Sequence, residues 1–302
     1  MGTRTQRENG DMQMVYEIIV NASRTTEKQI KIATDVFLQA GRIFRVHRTE
    51  GKGHAKKIAA ELTSSGKECA LVVMGGDGTL HEVLNGIQDF EHCNLGIIPS
   101  GTGNDFAETA GIPKDIKRAA QIIAFRAPRA IDYIQLNSGL KSLNAVGMGI
   151  DVDVLKRAYS KGGGKSKYLS ALIYCLKHFK SYDFTVEYEG KREKHFGMIA
   201  ALGNGRQIGG GIKLFPDAKI DDGFMDLIIV DYVSRFKMVF AFLKLMVGKV
   251  NAIKEVTALK VKSARFETDN PCTIQAEGEL YDGEDFDAHI VEGGLKFYLP
   301  ED

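Results

Sequence analysis

Over the first 130 residues two periodicities take turns. Residues 16–21 form a short β-branched run, and Ile30, Ala33, Phe37 and Ala40 then recur at helical spacing until Gly41 stops the helix. The same pair of signals returns three times. Strands read at 43–46, 70–74 and 95–98, with helices at 54–62, around Leu80, Val83, Leu84 and Ile87, and at 119–125. Repeated βα units of this length predict a parallel sheet sandwiched by helices. Ligands of such sheets sit where strands end and helices begin.

Beyond Arg129 the rhythm changes to strands joined by Gly, Asn and Asp turns, at 131–137, 142–148, 184–188, 196–202, 224–230, 256–261 and 272–276. Two helices, at 167–179 and 236–247, interrupt them. The fold class expected is therefore α/β plus β: an N-terminal α/β domain over 1–130 and a mostly antiparallel β-sandwich over 131–290. A chain of 302 residues is long enough for both.

Lys and Arg number 40 against 39 Asp and Glu, a net charge of +1 that argues against a chain built around nucleic-acid phosphates. The four cysteines, Cys69, Cys93, Cys175 and Cys272, are far apart and form no Cys-x-x-Cys pair, which suits a reducing compartment rather than a zinc knuckle or a disulfide scaffold. Residues 1–14 are polar with no apolar core for a secretory signal, so a cytoplasmic protein is expected. The longest apolar run, 238–247, is broken by Lys244 and is far shorter than the roughly 20 residues a bilayer span needs.

Two glycine turns carry the chemistry. Leu71-Val72-Val73-Met74-Gly75-Gly76-Asp77-Gly78-Thr79-Leu80 is a buried strand running into three glycines and then a helix. Glycines let backbone amides approach an anion, and the helix start adds its dipole and unpaired N–H groups, which makes a phosphate cradle. Asp77 would repel bare phosphate, so its carboxylate fits there if it reaches a bridging Mg2+; the plainer alternative is a helix cap on a glycine turn. The next strand ends Pro99-Ser100-Gly101-Thr102-Gly103-Asn104-Asp105-Phe106. Adjacent βα turns lie side by side, so both would face one ligand, and a nucleotide is the natural candidate.

These residues resemble the diacylglycerol kinase catalytic family in its soluble bacterial branch, a group that also holds sphingosine-type and ceramide-type lipid kinases. The turn at 75–79 is shared with NAD kinases and phosphofructokinases, whereas the 99–106 run is specific to the lipid-kinase side. The likeness continues through Asn204-Gly205, Gly209-Gly210-Gly211, Pro216-Asp217-Ala218, Asp221-Asp222-Gly223 and Gln275-Ala276-Glu277-Gly278-Glu279. It implies an ATP site between two domains, with Asp77 serving the catalytic Mg2+ network and Glu279 as the base that takes the proton from a lipid hydroxyl. It assigns nucleotide contacts to Asn21, Thr49, Gly75, Gly76, Asp77, Gly78, Thr79, Leu80, His81, Glu82, Gly101, Thr102 and Asn104. Asp132 would support the metal network through water, and Asp222, with the backbone carbonyls of Lys219 and Phe224, would form a structural Mg2+ site. It also implies that the last strand, within 291–302, returns to the first domain. The family has Asp-Gly-Glu where this chain has Glu277-Gly278-Glu279, which leaves the role of Glu277 open.

Phosphoryl transfer fits these parts on its own terms, since it needs phosphates held, charge neutralised and an alcohol placed beside a base. A solvated surface glutamate is the competing reading of Glu279. Two near-misses are set aside. Gly164-Lys165-Ser166 follows no strand and puts Tyr159 where a P-loop needs glycine, and His81-Glu82 has Asn85 where a zinc-protease helix needs its second histidine. Between residues 156 and 180 the charged residues are all Lys or Arg, interleaved with Tyr168, Leu172 and Tyr174, a pattern that suits either a solvated helix face or contact with anionic headgroups. The function expected is an ATP- and Mg2+-dependent diacylglycerol kinase yielding phosphatidic acid, peripherally touching membrane, with a homodimer as the default association. A kinase of another lipid acceptor and a nucleotide-dependent lipid sensor are the alternatives.

Overall fold

The computed structural model describes residues 14–160, 162, 165–179, 181–232, 237, 244, 248–249, 253–268, 272–283 and 286–301. In chain order the N-terminal part runs β1 (Val15–Val20), α1 (Glu27–Gln39), β2 (Ile43–Arg48), α2 (His54–Thr63), β3 (Cys69–Gly75), α3 (Asp77–Leu84), β4 (Cys93–Pro99), α4 (Asp105–Thr109) and α5 (Ile116–Phe125). β1 pairs in parallel with both β2 and β3, and β3 with β4, giving the order β2-β1-β3-β4. β3 and β4 are buried along their whole length, which is why their sequences are continuous apolar runs rather than alternating ones. β2 is the edge and alternates. α1 starts at a reciprocal cap between Thr26 and Gln29 and buries Ile30, Ala33 and Phe37.

The C-terminal part comprises β5 (Arg129–Leu136), β6 (Lys141–Ser142), β7 (Ala145–Gly149), α6 (Ile150–Ser160), α7 (Lys165–His178), β8 (Tyr182–Tyr188), β9 (Lys191–Gly203), β10 (Met225–Asp231), β11 (Val256–Val261), β12 (Ser263–Thr268), β13 (Thr273–Ala276), β14 (Glu279–Asp282) and β15 (Phe286–Phe297). Its pairings are antiparallel, with one exception: Lys296 and Phe297 at the end of β15 run parallel to Asn94 and Leu95 of β4. Through that contact the hydrogen-bonded ladder is continuous across both parts. Inward residues such as Val146, Phe184, Leu202, Leu227, Phe266 and Phe286 form the sandwich core. A separate cluster seats α6 and α7 on the outer face through Ile150, Val154, Ala158 and Leu172.

The structure departs from the pattern-based expectation in places. The strand expected at 142–148 breaks at Leu143 and Asn144, where the Asn144 N–H donates to the Glu277 carboxylate instead of a neighbouring strand and the Ser142 hydroxyl meets the same oxygen. α4, α6, β12 and β14 are not among the elements that the pattern predicts. The helix expected at 236–247 lies outside the described residues apart from Lys237 and Lys244, which are helical.

Candidate active site

β2, β1, β3 and β4 end on one rim, and the strand order reverses between β1 and β3, where an open α/β sheet leaves a crevice. Both glycine turns lie there. Gly76 and Gly101 pack backbone against backbone, so that a Cβ built on Gly101 would come within 2.5 Å of the Gly76 Cα. The Ser100 N–H donates to the Gly75 carbonyl at 2.8 Å. Asn104, at φ 58°, closes the second turn by accepting from the Gly101 N–H at 3.1 Å and donating to the Gly101 carbonyl at 2.9 Å. Asn21, just after β1, donates from Nδ2 to Thr79 Oγ1 at 2.9 Å and ties the switch point to the start of α3.

A cleft of about 890 Å³ opens over this rim. Of the residues expected to meet a nucleotide, Asn21, Thr49, Gly76, Asp77, Gly78, Thr79, His81, Glu82, Gly101 and Thr102 line it, and Glu279 faces them from the start of β14. Gly75 belongs to the buried end of β3, the Leu80 side chain is in the core, and Asn104 is spent on Gly101. Glu82 shapes the wall: its carboxylate accepts the N–H groups of Gly53 at 2.8 Å and Ala55 at 3.2 Å, capping α2 where Gly53 offers no side chain. His81 is buried with Nε2 2.6 Å from the Tyr281 hydroxyl, and burial, helped by Lys56 and Lys52, pulls its pKa down to about 4. It is therefore neutral in the free protein.

Asp77 sits at the head of α3, and its Oδ1 accepts the Phe106 N–H at 3.3 Å. A Cβ on Gly103 would lie 2.8 Å from Asp77 Oδ2, so the glycine there leaves that oxygen uncovered. Glu277 takes the left-handed conformation at φ 53°, and its Oε1 accepts from Ser142 Oγ and the Asn144 N–H, both at 2.6 Å. Burial pushes its carboxyl up to about 7, and the neighbouring Asp77 and Asp105 push the same way.

A second cavity of about 340 Å³ adjoins the cleft and shares Asp77 and Glu277 with it. Asp105 and Asp151 line it beside the apolar Leu155, Ala158 and Ile208. Asp105 accepts from Gln207 Nε2 at 3.1 Å and the Gly210 N–H at 2.8 Å, and burial raises its pKa to about 6. Both oxygens of Asp151 are buried, and burial lifts this carboxyl to about 7 against the opposing pull of hydrogen bonds from the Val152 N–H and the Gln275 side chain. Tyr159 borders both cavities, its hydroxyl donating to the Gly278 carbonyl at 2.5 Å. Asp105, Asp151 and Tyr159 had no assigned role in the sequence. The signal for Asp151 was the acid-bearing start of a helix directly after Gly149, with Ile150, Val154 and Ala158 at spacing four.

The expected metal residues are placed differently. Asp132 is 1% exposed, and its two oxygens accept the N–H groups of Gly223 and Gly293, each at 2.7 Å. It clamps two loops and does not border the Asp77 cleft. Asp222 accepts from the Phe224 N–H at 3.2 Å and from Lys260 Nζ at 2.8 Å, so an ammonium neutralises the carboxylate that the resemblance, together with the carbonyls of Lys219 and Phe224, assigns to a cation. No preassembled group of three His, Cys, Asp or Glu occurs among the described residues. The Asp77 side does fit Mg2+, which is held in such enzymes by one or two carboxylates together with substrate phosphates rather than by an all-protein cage.

The family description "Diacylglycerol kinase catalytic domain" fits residues 16–136, and "YegS C-terminal NAD kinase beta sandwich-like domain" fits residues 144–296. A probable lipid kinase of YegS-like type from Xanthomonas campestris is 30% identical, covering 95% of this chain and 96% of its own. Among solved structures, a Bacillus anthracis diacylglycerol kinase superposes with a TM-score of 0.74 at 24% identity, over 95% of this chain and 97% of its own. An NAD kinase from Archaeoglobus fulgidus, solved with ATP, superposes at 0.50 with 13% identity over 95% and 94% of the two chains, a likeness of fold alone. On these matches the chain belongs to the diacylglycerol kinase catalytic family, in its YegS-like lipid kinase branch.

Proposed function

We propose that the protein transfers the γ-phosphoryl group of ATP, with Mg2+, to the free hydroxyl of diacylglycerol, giving phosphatidic acid and ADP. The observation that carries this reading is that Asp77 and Glu279 line one cleft, at the carboxyl ends of parallel strands whose glycine turns present bare backbone. The two turns and the start of α3 hold the phosphates through backbone N–H groups. Mg2+, when bound at Asp77, neutralises charge on the transferring phosphoryl group. Glu279 receives the acceptor's hydroxyl proton as the new oxygen–phosphorus bond forms and the bond to ADP breaks.

The adjoining cavity offers the acceptor polar groups at Asp105 and Asp151 and apolar ones at Leu155, Ala158 and Ile208. A sphingoid base is the second reading, favoured by one observation: the buried carboxyl of Asp151 in the cavity wall, which an ammonium would neutralise. Access to the lipid is by transient membrane contact. No helix among the described residues is long and apolar enough to cross a membrane. The α6–α7 pair carries exposed Lys156, Lys167 and Lys177 with exposed Tyr159, Ile173 and Tyr174. Mass-spectrometric detection of products after incubation with MgATP and a micellar panel of diacylglycerol, monoacylglycerol, ceramide, sphingosine and phosphatidylglycerol tests the proposal. Phosphatidic acid as the dominant product supports it; phosphorylation of sphingosine alone moves the assignment to the second reading.

A further inference from the structure

The walls of the 890 Å³ cleft are acidic. Among the described residues that line it, Glu50, Asp77, Glu82 and Glu279 stand against two cations, Arg24 and Lys52, and Glu277, pushed up to about 7, adds part of a further negative charge. His81, pulled down to about 4, adds no charge at neutral pH. A nucleoside triphosphate remains polyanionic even with its metal, so a cleft of this composition repels its own substrate unless the two cations are free to meet it.

Lys52 is engaged elsewhere in the free protein. Its Nζ lies 2.5 Å from Glu279 Oε2, bridging the β2–α2 loop to the first residue of β14. The loop is fixed at both ends, by the Thr49 N–H on the Val20 carbonyl and by Glu82 on the Gly53 and Ala55 N–H groups. Its tip is open on the side-chain side, since a Cβ added at Gly51 or Gly53 would meet nothing within 4 Å. Lys52 itself is 81% exposed and Glu279 30% exposed in their side chains. An ion pair that solvated is worth about 0–1 kcal/mol. It is weak enough for a phosphate chain to break.

Resting on the kinase reading above, we propose that Lys52 is a phosphate-binding residue that exchanges partners: it holds Glu279 in the empty enzyme and moves to the nucleotide's phosphates when ATP enters. The exchange does two things at once. It brings a cation to an anion in an acidic cleft, where an ammonium serves as a compact, mobile point charge. It also uncovers Glu279 Oε2 only when a phosphoryl donor is present, so the base becomes available to the acceptor hydroxyl after nucleotide binding and not before.

Calorimetric titration of the full chain with MgATP and, separately, with adenosine tests this without any acceptor or turnover. Lys52→Ala is expected to weaken MgATP binding about tenfold, the scale of one charge-assisted hydrogen bond, and to leave adenosine within about twofold. Lys52→Arg is expected to restore most of the loss. Glu279→Gln is expected to tighten MgATP about threefold where Lys52 is present, by releasing it, and by less in the Lys52→Ala background. Equal tightening in both backgrounds would show that Glu279 acts through its field alone and would overturn the exchange. So would unchanged MgATP affinity in Lys52→Ala. Failure of the unaltered protein to bind MgATP at all would overturn the kinase reading and the exchange with it, a result distinct from either of these.

Discussion

The parallel half and the antiparallel half build the same cleft from opposite materials. β1, β3 and β4 bring backbone: their ends are glycine turns packed so closely that Gly76 and Gly101 exclude side chains from one another. The sandwich brings side chains: Glu277 from the β13–β14 turn and Glu279 from the start of β14 line the cleft, and Glu277 with Asp151 from α6 lines the adjoining cavity. A phosphate needs amides that do not move, and a proton acceptor needs a carboxylate whose surroundings are tuned. Each half supplies what its geometry makes easy.

The largest effects should come from the carboxylates at the seam. Asp77→Ala is expected to cut lipid phosphorylation by roughly a thousandfold or more while the far-UV spectrum and melting temperature stay close to those of the parent. Glu279→Gln should lower turnover by about 10²–10⁴-fold, the range of general-base contributions, with nucleotide still bound. Retained turnover in either variant would break the comparison, since the two halves would then not meet at the reacting group.

Backbone closeness is tested at Gly101. Gly101→Ala forces a methyl against the Gly76 Cα, and an overpacked site of this kind costs about 1–3 kcal/mol. The expected result is a lower unfolding midpoint in urea together with weaker nucleotide binding. An alanine tolerated in both respects would mean that the turns are not in contact. Glu82→Ala removes the cap of α2 and should cost about 0.5–2 kcal/mol in the same titration.

The sandwich side is sharpened by pH. Asp151 and Glu277 titrate near 7 in the folded chain, above their ordinary values of 3.8 and 4.5, so between about 4 and 7 the folded state binds more protons than the unfolded one. Stability from these groups is therefore fully present below their ordinary pKa values and is lost as pH rises toward 7. His81 works in the opposite sense, because its lowered pKa makes the unfolded chain the better proton binder between about 4 and 6.5. Asp151→Asn should leave stability near that of the parent at pH 4 and raise it at pH 8 in the metal-free protein, as followed by denaturant midpoints. A variant less stable than the parent at pH 8 would indicate that Asp151 is held charged.

The two halves were also unequally legible. Periodicity shows β1 to α3, β4 and α5 because the central strands are continuous apolar runs and the helices repeat an apolar face, as Ile30, Ala33 and Phe37 do, whereas the five-residue α4 is too short to repeat one. The glycine turns were visible for the same local reason. In the sandwich, Leu143 and Asn144 read as strand because nothing nearby reveals that Glu277, more than 130 positions later, takes the Asn144 N–H. β12 carried a two-residue alternation, with Ala264 and Phe266 inward, that was overlooked among charged neighbours. The capping role of Glu82, the clamp made by Asp132 and the Lys260 partner of Asp222 depend on tertiary contacts that spacing does not encode.

The most direct test of the central claim is the transfer of labelled γ-phosphate from ATP to diacylglycerol in mixed micelles with Mg2+, run side by side for the parent protein and Glu279→Gln. The account predicts labelled phosphatidic acid from the parent and near-background label from the variant, with both proteins binding ATP. Label appearing equally in both would contradict the assignment of the base. Absence of label from a parent protein that binds ATP would contradict the acceptor.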